Sequence, residues 1–214
     1  MSDPAAFIAA HTAIAIPPLV PEIKLHLATQ ITPIWEATEA DLARMNLPPP
    51  YWAFAWPGGQ ALTRFLLDQP DWVKGKRVLD FAAGSGLSAI GAAMAGAAKV
   101  EAAEIDDYAS AAIALNARTN NVAIHLVNED LIGSDPRWEI VLAGDVCYEK
   151  PMADRVIAWF RALAGRGVAI LMGDPGRAYL PQNGLVELAR YQVPTTLELE
   201  DRPMRETLVW RLMP

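Results

Sequence analysis

The chain has one cysteine, Cys147, in 214 residues, so no intramolecular disulfide can staple it, and such sparse usage is normal for a reducing compartment. Histidine is nearly as scarce. His11, His26 and His125 are scattered without metal-ligand spacing, and no metal site is expected. Positive charge is in deficit, with 18 Lys plus Arg against 25 Asp plus Glu for a net −7. That balance disfavours affinity built on phosphate neutralisation and points to a protein or small-molecule partner, not a nucleic acid. No polar or low-complexity linker divides the chain and no internal repeat is visible, so the 52% hydrophobic residues are expected to build one core, in a monomer. The N-terminus lacks the basic region of a secretory signal and is read as mature sequence of a cytoplasmic protein. Long apolar runs are also rare. Phe81 to Ala98 is uncharged over about the length of a membrane span, but four glycines and two serines lower its hydrophobicity and it directly follows a strand signal. No membrane partner is expected.

Residues 1–50 read as an accessory segment. Ser2 or Asp3 with Pro4 behind it starts a helix that should stop before Pro17-Pro18. "EIKLHLAT" and "ITPIWEAT" each alternate apolar and polar side chains and predict a two-stranded hairpin, with Pro33 favouring an edge. "EADLARMN" reads as a short helix ended by Pro48-Pro49-Pro50.

Residues 51–214 read as the main domain, and from Lys76 its strands and helices alternate. "KRVLDFA", "KVEAAEI", "AIHLVNED", "WEIVLAGD" and "GVAILMGD" are strand-like, while "GLSAIGAAMAGA", "DYASAAIALNARTNN" and "PMADRVIAWFRALA" have helical spacing. This pattern predicts an α/β, Rossmann-like, mostly parallel sheet with helices on both faces and ligands at the carboxyl ends of the strands. "RYQVPTTLELE" and "RETLVWRLM", joined by "DRP", predict a C-terminal antiparallel hairpin that brings the sheet to seven strands.

The chemistry gathers at those strand ends. "VLDFAAGSG" ends a strand with Asp80 and turns through Gly84 and Gly86 into a helix, a geometry that lets a ligand approach the backbone. A dinucleotide fingerprint would need a third glycine, and Leu87-Ser88-Ala89 follows instead. An acidic residue before a small-residue turn suits a ligand with a cationic amino group and no phosphate. Glu104, ending the next strand, can accept from both ribose hydroxyls, and Asp130, ending the third, can accept from an adenine amine. Each acid alone could equally cap a helix or face solvent. Also missing are a Tyr-x-x-x-Lys pair, which a short-chain oxidoreductase needs, and the Asn/Asp-Pro-Pro-Tyr/Phe of nucleic-acid amino methyltransferases, where "DVCY" stands.

With three acids at three successive strand ends, the sequence resembles the class I, seven-strand S-adenosylmethionine-dependent methyltransferases. Through "WPGGQAL" (Trp56–Leu62), "GDVCY" (Gly144–Tyr148) and "GDPGR" (Gly173–Arg177) it resembles, more narrowly, the group that methylates lysines of non-histone proteins, in particular the electron transfer flavoprotein beta subunit. The resemblance runs from about Pro49 to the C-terminus. It departs at Ala82, where the family's glycine motif usually has its first glycine.

The resemblance implies S-adenosylmethionine as cofactor, with Trp56 against its methionine arm, Gly59 at the start of an overlying helix, and Asp80, Ala82, Gly84, Gly86, Glu104 and Asp130 around the rest. An aromatic face beside a sulfonium gains cation–π attraction, and an apolar wall keeps water from the transferring methyl. On the substrate side, Asp145 could accept a hydrogen bond from an incoming amine and Tyr148 could wall a lysine channel. Arg177, after the Pro175-Gly176 turn, could face solvent or a protein substrate, or pair with Asp174. Methylation of another lysine or of a small amine, or silent cofactor binding, stays open at this level.

Overall fold

The computed structural model describes residues 3–28 and 49–214. Helix α1 (Pro4–His11) starts at Asp3, whose side chain accepts from Ala5 N at 3.2 Å, with Pro4 supplying a preset φ in the first turn. It ends earlier than the prolines predict. Both the amide and the hydroxyl of Thr12 donate to Ile8 O, and the chain leaves as strand β1 (Ala13–Ala15). Strand β2 (Leu25–Leu27) pairs antiparallel with β1, Ala13 opposite Leu27. "EIKLHLAT" therefore contributes only its centre to a strand, and the partner of that strand precedes it in the chain. "ITPIWEAT" and "EADLARMN" lie outside the described residues. Asn116 and Asn120 anchor the pair by accepting from His26 N at 2.7 Å and Lys24 N at 2.9 Å.

The remaining elements alternate as the periodicity predicts. In chain order they are α2 (Pro57–Asp68), β3 (Arg77–Phe81), α3 (Leu87–Met94), β4 (Lys99–Ala103), α4 (Asp107–Thr119), β5 (His125–Val127), β6 (Ile140–Gly144), α5 (Lys150–Gly165), β7 (Ala169–Asp174), β8 (Leu185–Pro194), α6 (Leu197–Glu200) and β9 (Met204–Leu212). They form a seven-stranded sheet of order β5-β4-β3-β6-β7-β9-β8, in which β9 runs antiparallel to both neighbours and every other pair is parallel. Alternate residues of the same strands feed two cores. Leu79, Val141 and Ile170 pack with Phe160 and Leu163 of α5, while Val78, Leu142 and Leu171 pack with Leu62, Phe65 and Leu66 of α2. Burial on both faces makes these strands near-continuous apolar runs.

The C-terminal pair differs from the predicted hairpin. Its first strand begins at Leu185, before "RYQVP", and "TTLELE" does not extend it. Pro194 closes β8, and the amides of Leu199 and Glu200 both turn back to Thr196 O, making the short helix α6 before β9 begins.

The order in which strands are added reverses between β3 and β6, which are parallel. From β3 the chain builds outward through β4 and β5, then returns to place β6 and β7 on the other side, so a crevice opens at the carboxyl ends of β3 and β6. The amino end of α2 crosses this rim in backbone contact. A Cβ on Gly144 would lie 2.8 Å from Gly59 N, and one on Gly58 would lie 2.8 Å from Asp145 Cγ. Only glycine fits at Gly58 and at Gly144, the end of β6.

Candidate active site

The crevice holds a cavity of about 560 Å³, within the range of small-molecule sites. One side is the turn between β3 and α3. Asp80, penultimate in β3 and buried, accepts from Ala89 N at 2.8 Å and so ties the strand to the first turn of α3. Burial pushes its carboxyl well above the usual carboxylate range. Ala82, Gly84 and Gly86 have φ of +52°, +52° and +77°. An alanine in that region costs roughly 1–2 kcal/mol, so the missing first glycine is a local strain in the cavity wall. Gly86 does not line the cavity, contrary to expectation. It starts α3, and a Cβ there would press on Ile113 at 3.1 Å, so its glycine serves the turn and its packing.

Glu104, the first residue past β4, also faces this turn. Its Oε2 accepts from Gly84 N at 3.0 Å and its Oε1 from Ile105 N at 2.9 Å, while burial pushes its pKa up. Asp130 sits on the cavity rim, but three residues beyond the end of β5, exposed, and bound to Arg155 at 3.0 Å and to Ile132 N. Its carboxylate is thus already shared with a cation. Trp56 closes the opposite side. Its indole N–H donates to Tyr51 O at 2.8 Å, and its ring meets Tyr51 and Phe54 edge-on with centroids at 5.9 Å. These aromatics are gathered before α2 because they wall a cavity.

The lip nearest β6 is built differently. Asp145 takes φ +55° directly after β6, a conformation Asp tolerates better than most residues, and its Oδ2 accepts from Gly59 N at 3.2 Å. Burial pushes its pKa up to about 6, against the pull of Arg177. Tyr148 stands partly exposed beside Tyr51, ring centroids 5.4 Å apart, and burial pushes its phenol up to about 12.

Arg177 does not reach outward. Asp174 Oδ1 accepts from Gly176 N and Arg177 N, and that tight turn folds the side chain back over Trp56, with Cζ 5.7 Å from the ring. Its Nε and Nη2 donate to Asp145 Oδ1 at 3.0 and 2.7 Å, and its Nη1 donates to Glu200 at 3.3 Å. The side chain is only 17% exposed, so it grips Asp145 and offers little to an approaching protein. Glu200 was missed from the sequence. "TTLELE" alternates like a strand, and nothing local reveals that its last glutamate reaches a residue on the rim.

The ribosomal protein L11 methyltransferase (PrmA) family matches residues 28–147. The electron transfer flavoprotein beta subunit lysine methyltransferase of Xenopus laevis is 38% identical over 99% of this chain and 87% of its own length. Its Homo sapiens counterpart is 36% identical over 92% of this chain and 76% of its own. The chain belongs to this methyltransferase family. Magnesium protoporphyrin IX methyltransferase from Synechocystis PCC 6803, solved with bound S-adenosylmethionine, shares the fold at TM-score 0.53 and 16% identity, covering 84% of this chain and 93% of that one.

The protein is thus an S-adenosylmethionine-dependent methyltransferase, and its cavity fits that cofactor. Asp80, penultimate in β3, and Glu104, just past β4, stand beside a turn whose backbone is open to a ligand, and an apolar aromatic wall stands opposite. Among the described residues, no cluster of His, Cys, Asp and Glu could hold a metal ion, and no helix is long and apolar enough to cross a membrane.

Proposed function

We propose that this methyltransferase modifies lysine side chains of the electron transfer flavoprotein beta subunit, as a cytoplasmic monomer. The observation that carries the reading is the carboxylate of Asp145, buried at the cavity lip and held in place by Arg177 and Gly59 N. The substrate's identity is supported by the names of relatives that match nearly the whole chain.

S-adenosylmethionine supplies an activated methyl group. The protein's task is then positioning and delivery of an uncharged amine. Lysine with a reference pKa of about 10.4 is neutral only about once in a few thousand molecules at pH 7. Asp145 accepts a hydrogen bond from the amine, orients its lone pair toward the cavity and disperses the positive charge that develops on nitrogen. Tyr148 and Tyr51 wall the lysine's methylenes, and Trp56 excludes water. Glu104 holds a ribose diol, Asp80 and the Ala82–Gly84 turn lie against the amino-acid end, and Asp130 stands on the adenine side. The lone buried Cys147 suits a reducing compartment.

Purified electron transfer flavoprotein beta subunit, incubated with this enzyme and methyl-labelled S-adenosylmethionine, should acquire label on lysine. Labelling of a different protein in an extract, with that subunit left unlabelled, would overturn the substrate assignment.

A further inference from the structure

Asp145 is the end of a buried charge network that reaches the C-terminal strand pair. One guanidinium, that of Arg177, is shared by two carboxylates, Asp145 and Glu200. Glu200 is buried, with its side chain 2% exposed, and Arg205 Nε stands 3.2 Å from its Oε2. Arg177 cannot swing away without leaving a buried glutamate poorly compensated, which is a costly state. The rigid fork of the guanidinium then transmits the position of α6 to the lip of the cavity.

The charged groups facing Asp145 come from several elements. Arg177 follows β7, Asp174 ends β7, and Glu200 comes from α6 with Arg205 of β9 behind it. Its own loop adds the thiol of Cys147, and α2 adds the amide of Gly59. Asp145 and Glu200 share the Arg177 guanidinium, with Arg205 beside Glu200, while Asp174 accepts the amides of Gly176 and Arg177 on Oδ1 and keeps a buried Oδ2 with no hydrogen-bond partner. Around Asp145 the carboxyl groups therefore outnumber the guanidinium groups, three to two.

We propose that Glu200 is a positioning residue for the methyl transfer. By holding part of the Arg177 guanidinium it fixes where Asp145 sits and leaves Asp145 only partly neutralised, able to accept a hydrogen bond from the amine and to offset the charge that develops on it. This rests on the reading of Asp145 as the carboxylate that meets the amine. The two partners act on Asp145 in opposite directions, Glu200 raising its pKa and Arg177 lowering it. A Glu200 that only stabilised the fold would leave kcat unchanged in the folded variant, so the rate is read together with the titration.

The test uses the full-length enzyme labelled with ¹³C at aspartate carboxyls, the Asp145 signal being identified by its loss in Asp145→Asn. In the wild type it should titrate at about 6. Glu200→Gln should move that titration to lower pH and Arg177→Gln to higher pH. With electron transfer flavoprotein beta subunit as substrate, the acid limb of kcat should shift the same way. Turnover by Glu200→Gln at neutral pH should fall about 10-fold as Asp145 is mispositioned, with the KM for S-adenosylmethionine within two-fold. An unmoved Asp145 titration in folded Glu200→Gln overturns the proposal whether or not Arg177→Gln folds, and so do shifts of the same sign in both variants. Opposite shifts without turnover on this substrate would sustain the link to Glu200 and count only against the substrate assignment.

Discussion

Asp145 carries two unusual features at once, a left-handed backbone and a carboxyl pushed up to about 6. Strain and desolvation at one residue are tolerated where neighbours over-determine them, here Arg177 at 2.7 Å and Gly59 N at 3.2 Å. Asp145→Asn preserves the shape and removes the charge, so it should lower kcat by about 100-fold while leaving cofactor affinity within a few-fold. Steady-state kinetics with isothermal titration would check both. Wild-type turnover by the mutant would refute the assignment, and equal losses of affinity and rate would make Asp145 a cofactor ligand instead. The position of this residue, just past a strand end, was legible from "GDVCY". Its tie to Arg177 was not, because the turn that folds Arg177 inward depends on Asp174 accepting two amides.

Among the elements, β4 is latched to the segment leading into β6, across the intervening β3. Glu101 of β4, buried, accepts from Lys99 at 2.7 Å, Trp138 Nε1 at 2.8 Å and Arg137 at 3.1 Å. Burial alone would raise its pKa, but these hydrogen bonds outweigh it and hold the carboxyl at about 2. A pKa depressed on folding gives stability that is present above the ordinary value of 4.5 and is lost as pH falls through about 2. Glu101→Gln should therefore destabilise the protein by about 1–2 kcal/mol at pH 7, a figure discounted because Lys99 and Arg137 are half exposed. In urea unfolding at a series of pH values, the gap to wild type should close between 4.5 and about 2. A gap independent of pH would remove the ionised latch. Strands such as β6 were legible because they are apolar on both faces. The alternation in "TTLELE" misled because four residues are too few to separate a strand end from a helical turn.

For the whole molecule, the cavity lies where two halves of one sheet meet, so cofactor binding and global stability are linked. S-adenosylmethionine at about 100 times its Kd should add about 2.7 kcal/mol to unfolding, raising Tm by about 5–10 °C. Glu104→Ala, by weakening binding about 1.5–3 kcal/mol, should lose at least half of that shift at the same concentration. An unchanged thermal shift in a folded Glu104→Ala protein would take Glu104 out of the site. A ligand held by Glu104 would act on the centre of the sheet, because Glu104 is hydrogen-bonded to the β3–α3 turn through Gly84.

The alternation of strands and helices, the class of fold and the acids at the ends of β3 and β4 were determined by sequence alone, since hydrophobic period and turn chemistry are local properties of the chain. Local pattern also sufficed to mark "WPGG" and "GDVCY" as special. Only the tertiary structure decided that β1 pairs with β2, that Gly86 packs on Ile113 outside the cavity, and that Arg177 turns inward to join Asp145 to Glu200. Pairing partners, close backbone approaches and shared guanidinium groups depend on residues far apart in the chain, and their positions are settled by the packing of whole elements, which no short window of sequence contains.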